Sequence, residues 1–81
     1  MTGYHYTFHK QLDKLLYEYG LSAEDILLQL HREVIDMDLD DRAKLEIIDR
    51  IGEANFRVTE GANERLQLEA LLAELALLAK R

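Results

Sequence analysis

His5 and His9 stand four residues apart, the spacing at which two histidines on one helical face can share a divalent metal. A zinc hydrolase built on that pattern carries a glutamate directly after the first histidine, to serve as general base. Here Tyr6 occupies that place, and no third ligand is evident. The acidic run Asp36-Met-Asp-Leu-Asp-Asp41 offers oxygen ligands, but a calcium loop needs glycine at its sixth position and glutamate at its twelfth. Those positions hold Asp41 and Ile47. The aspartates are expected instead to precede and cap a helix, whose macrodipole favours negative charge there. His31-Arg32-Glu33 could support acid–base work, but its charged members are expected to be solvated or paired at the end of a helix. The single serine, Ser22, stands where it would cap a helix. No glycine is followed by Lys-Ser or Lys-Thr, so there is no phosphate-binding loop. The sequence predicts no catalytic residue, no metal site and no cofactor site in this segment.

The elements that would have to position any such chemistry are all helical. A first helix is predicted from about Tyr6 to Tyr19, with Phe8, Leu12, Leu15, Leu16 and Tyr19 at helical spacing. Gly20 ends it, because only glycine enters the left-handed C′ conformation without penalty. Leu21 then takes C″, with an apolar contact back to Leu16. Ser22 is the N-cap of a second helix, and Asp25, three residues on, completes a capping-box pattern. Leu21 and Ile26 supply the hydrophobic staple. This helix runs to about Ile35 and turns Ile26, Leu27, Leu30 and Val34 inward.

A third helix is predicted from about Asp40 to Glu60, with Ala43, Ile47, Ile51, Ala54 and Val58 on one face. Gly52 lies inside it and is expected to mark close approach of a neighbouring helix, with Phe56 filling space one turn on. Asn55 falls within the same stripe and would need a hydrogen-bond partner if buried. Gly61 as C′ and Asn63 as N-cap then separate the third helix from the fourth.

The fourth helix is unlike the others. Between Leu66 and Ala79 only Gln67, Glu69 and Glu74 are polar. At about 100° per residue the apolar residues divide into two stripes. Leu68, Leu71, Leu72, Leu75 and Ala79 form the wide one; Leu66, Ala70, Ala73 and Leu77 form the narrow one. A surface helix needs a single stripe to face its own core. A helix with two meets a second layer or another chain, so the wide stripe is expected in the core and the narrow one at a subunit interface.

Length and composition agree with an all-α bundle of about four helices in one domain over residues 1–81, with residues 1–7 expected to be poorly ordered. Eighty-one residues lie near the lower edge of what one core stabilises. The hydrophobic share of 48% argues against disorder. A net charge of −6 argues against this segment gripping a nucleic-acid backbone, which requires a positive surface. With no cysteine there is no disulfide framework and no thiolate site. The first ten residues lack the apolar core of a signal peptide. The last helix is too short, and too charged at its flanks, to span a bilayer. A cytoplasmic protein without a membrane partner is the expectation.

Two blocks of sequence resemble one family. Leu15-Leu-Tyr-Glu-Tyr-Gly-Leu-Ser-Ala-Glu-Asp-Ile-Leu-Leu-Gln-Leu-His-Arg-Glu-Val34 is similar to the start of the C-terminal domain of the archaeal replication factor C small subunit. Ile51-Gly-Glu-Ala-Asn-Phe-Arg-Val-Thr-Glu-Gly-Ala-Asn-Glu-Arg-Leu-Gln-Leu-Glu-Ala-Leu-Leu-Ala73 is similar to its end. The resemblance covers roughly Phe8 to Lys80, and Gly61 to Ala70 is its most distinctive stretch. In that family, four small subunits and one large subunit form a clamp loader. It opens a sliding clamp and loads it onto primer–template DNA during DNA replication, using ATP and magnesium. Each subunit carries an AAA+ ATPase module, and the C-terminal helical domains pack into a collar. The resemblance implies a collar domain that holds neighbouring small subunits and the large subunit together. Clamp and DNA would be reached only through the ATPase modules, whose motifs are absent here. Met1-Thr-Gly-Tyr-His-Tyr-Thr7 is not expected to share the resemblance. The competing reading is a stand-alone acidic helical protein that homodimerises or blocks a basic surface on a partner. A third would be a small metalloenzyme using His5, His9 and carboxylates.

Overall fold

In the computed structural model, which describes residues 10–79, the chain forms four helices, and each boundary has a local cause. Helix α1 covers residues 10–18, and its last five, Lys14–Glu18, form a π turn. Helices α2 (Ala23–Asp36), α3 (Asp41–Thr59) and α4 (Glu64–Ala79) are regular. The expectations placed on His5, Phe8, His9 and residues 1–7 lie outside the described residues.

The π turn corrects the reading of α1. The Tyr19 N–H donates to the Lys14 carbonyl at 3.0 Å, five residues back, and the Leu21 N–H donates to the Leu15 carbonyl at 3.0 Å. A regular Schellman closure would have returned Leu21 to Leu16. The wider turn takes in one extra residue and rotates the end of the helix off the 3.6-residue pattern. Tyr19, expected on the apolar face, is therefore 62% exposed, while Leu12 is buried and Leu15 and Leu16 are half-buried. Gly20 still makes the turn, at φ +69°.

Beyond that glycine the geometry is simple. Ser22 Oγ accepts from the Asp25 N–H at 3.1 Å, and Asp25 Oδ2 accepts from the Ser22 N–H at 3.2 Å. The two contacts close a capping box on α2. Asp40 caps α3, its Oδ1 accepting from the Ala43 N–H at 2.8 Å. Lys44 on α3 reaches back to the Ile35 carbonyl at 2.7 Å, satisfying a free acceptor at the end of α2. Gly61, at φ +102°, ends α3 in a Schellman motif: Ala62 N–H to the Arg57 carbonyl at 2.9 Å, and Gly61 N–H to the Val58 carbonyl at 3.0 Å. Asn63 Oδ1 then accepts from the Leu66 N–H at 2.9 Å and starts α4.

The core is Leu12, Ala23, Leu27, Val34, Ile51, Ala54, Leu68 and Leu71, one or more from every helix. Helix α3 is central to the packing, lying against α2 and against α4. Among the described residues no buried polar or charged side chain occurs, so the core is held by apolar burial. Gly52 is a second correction. A Cβ built there meets nothing within 4 Å, and Phe56 is 63% exposed, so no helix crosses closely at this point. Asn55 is likewise exposed and needs no buried partner. Gly52→Ala is therefore expected to stabilise the domain by about 0.5–1 kcal/mol, through helix propensity and reduced unfolded-state entropy. A rise in urea midpoint checks this; a fall would mean the site is crowded.

Candidate assembly surface

Helix α4 presents its wide stripe to the protein. Leu71 is 1% and Leu68 2% exposed, and Leu72 and Leu75 are half-buried against the core. The narrow stripe faces outward along its whole length: Leu66 is 63% and Leu77 67% exposed, and Ala70 and Ala73 between them are also exposed. The spacing 66, 70, 73, 77 keeps the four on one line along the helix.

Charged side chains make ion pairs on either flank of α4. On one side, the Arg65 guanidinium donates through Nε to Glu69 Oε2 at 2.6 Å and through Nη1 to Asp13 Oδ1 on α1. The Asp13 carboxylate first, then that of Glu69 and more weakly the Tyr17 hydroxyl, hold the guanidinium pKa well above its ordinary value. Arg65 stays charged at every working pH. On the other side, Arg50 Nη1 of α3 donates to Glu74 Oε2 at 3.0 Å. Both arginines were missed by sequence reasoning. Arg65 and Glu69 form a visible i,i+4 pair, but nothing local points from Arg65 to Asp13, 52 residues away.

The remaining candidates are structural. Ser22, Asp25, Gly20, Leu21, Gly61 and Asn63 all sit at helix junctions. His31 is half-buried, Arg32 and Glu33 are exposed, and Glu33 Oε2 accepts from Gln29 Nε2 at 2.9 Å. Among the described residues no group of three or more His, Asp or Glu side chains is placed to hold a metal ion. Two open apolar grooves flank the bundle. One, of about 740 Å³, is lined by Leu12, Leu15, Leu21, Ile26, Leu28 and Leu72 among others. The other, of about 810 Å³, includes Leu30, Val34, Met37, Leu39, Ile47 and Leu75. Among the described residues no helix is long and apolar enough to cross a membrane.

The geometry is that of a small helical bundle: capped helices, an apolar core and one helix with a second, outward apolar face. Comparison with known proteins gives it a lineage. Residues 4–74 match the family model of the replication factor C C-terminal domain, and the chain belongs to that family. It is 57% identical over 70 residues to the replication factor C small subunit of Archaeoglobus fulgidus, a match covering 86% of this chain and 22% of the relative. The Methanocaldococcus jannaschii small subunit is 55% identical over 69 residues, covering 85% of this chain and 4% of the relative. That of Haloarcula marismortui is 54% identical over 65 residues, covering 80% and 20%. The chain thus spans about a fifth or less of the length of these relatives. No solved structure matches it.

Proposed function

We propose that this chain is a collar module of a clamp-loader small subunit, joining subunits and carrying out no chemistry itself. The observation that carries this reading is the exposed line Leu66, Ala70, Ala73, Leu77 on a helix whose opposite face fills the core. In the assembled machine its neighbours are other small subunits and the large subunit. The sliding clamp and primer–template DNA are engaged by ATPase modules outside the matched segment, which also hold ATP and magnesium. The work takes place in the cytoplasm, where an archaeal chromosome lies.

A free acidic inhibitor fits less well. Acidic residues occur on every helix, from Asp13 on α1 through Glu24, Asp49 and Glu64 on the others, so no helix is set apart as a negative face for a basic partner. To test the collar reading, the chain is grafted into the full-length A. fulgidus small subunit in place of the segment it matches. Leu66→Glu and Leu77→Glu are expected to weaken subunit assembly about tenfold or more, while helicity of the 81-residue chain is unchanged. Assembly that survives both substitutions removes these positions from the interface.

A further inference from the structure

The two carboxylates that flank the exposed line of α4 are both already engaged within the domain. Glu69 is bonded to Arg65 and Glu74 to Arg50. The third polar flank, Gln67, is neutral. At about 100° per residue, Gln67 and Glu74 border the line on one side and Glu69 on the other. Each acid is already charge-paired with an arginine, so the flanks of the line offer a basic partner little uncompensated negative charge. The relief along the line is also uneven, with a leucine at each end, each about two-thirds exposed, and two alanines between them.

Resting on the collar reading, we propose that Leu66, Ala70, Ala73 and Leu77 form a saddle that receives an uncharged, apolar helix of a neighbouring subunit. One bulky aliphatic side chain of that helix seats over the two alanines, between the two leucines. Packing a ridge from one helix into a gap on another in this way sets their spacing and crossing angle. The occupant is a subunit with further points of attachment, and not simply a second copy of this domain. Two leucines and two alanines fall well short of the roughly 800 Å² per partner that a stable interface buries.

The test uses the same full-length graft and reads association by sedimentation. Ala70→Leu combined with Ala73→Leu fills the saddle with residues of good helix propensity, so the melting temperature of the 81-residue chain serves as a folding control. The double variant is expected to fold normally and to lose about tenfold in association. Glu74→Gln, which retains a hydrogen-bond acceptor for Arg50, is expected to change association less than twofold. If Leu66→Glu and Leu77→Glu weaken assembly but the double leucine variant associates as well as or better than the parent, the saddle is wrong and the collar reading stands. If all of these leave assembly intact, both fail. A tenfold loss with Glu74→Gln would show a basic partner and overturn the uncharged occupant.

Discussion

Leu71→Ala is expected to lower the unfolding free energy of this domain by about 3 kcal/mol, within the 2–5 kcal/mol range for truncating a buried leucine. Leu71 is 1% exposed and belongs to the cluster that joins all four helices. Truncation removes apolar area from the core and leaves a hole that the surrounding helices fill only in part. Stability of small domains is of order 5–15 kcal/mol, and a chain of this length falls toward the lower end. The loss would therefore remove a large share of the total. The contrast is Leu77→Ala on the opposite face of the same helix, expected to stay within about 0.5 kcal/mol because its side chain already meets solvent. Urea unfolding of the two variants side by side checks both. A Leu71→Ala midpoint near that of the parent would mean that the wide stripe is not the core-facing one.

Arg65→Ala is the second large effect, expected at about 2 kcal/mol. Its side chain is 17% exposed and bonded to carboxylates on two helices. Charge-assisted bonds of this kind are stronger than neutral ones. Fully buried pairs cost more to break, but Asp13 is half exposed and can return to water, which limits the penalty. The loss should be local in character, because Asp13–Arg65 is an ion pair that ties α1 to α4. Amide exchange of residues 12–18 is expected to quicken more than that of α3. A double-mutant cycle with Asp13→Ala isolates the pair, with an expected coupling of about 1 kcal/mol. Coupling indistinguishable from zero would mean that α1 is held by Leu12 and its apolar neighbours without help from the ion pair.

What could be read from the sequence was what depends on neighbours close in the chain. The Ser22-Asp25 capping box and the Gly61-Asn63 junction are each decided within a few residues, by side chains that bond their own backbone and by a glycine that tolerates positive φ. The division of α4 into two stripes follows from helical angle, and the wider stripe carries more apolar area to bury. Three things could not be read in this way. The π turn in α1 leaves no mark on a 3.6-residue template, so Tyr19 was placed on the wrong face. The space around Gly52 depends on where other helices pass, and a glycine in a helix gives no sign of whether anything approaches it. The Asp13–Arg65 contact joins α1 to α4, 52 residues apart, and is fixed by packing.

The π turn also sets how much chain α1 takes up. It lies between two fixed points, the Asp13 contact with Arg65 and the corner closed by Gly20 and Ser22. Between them the backbone carries one more residue than an α-helix of that span requires. That residue is slack. A chain one residue shorter there would close the same span with four-residue hydrogen bonds.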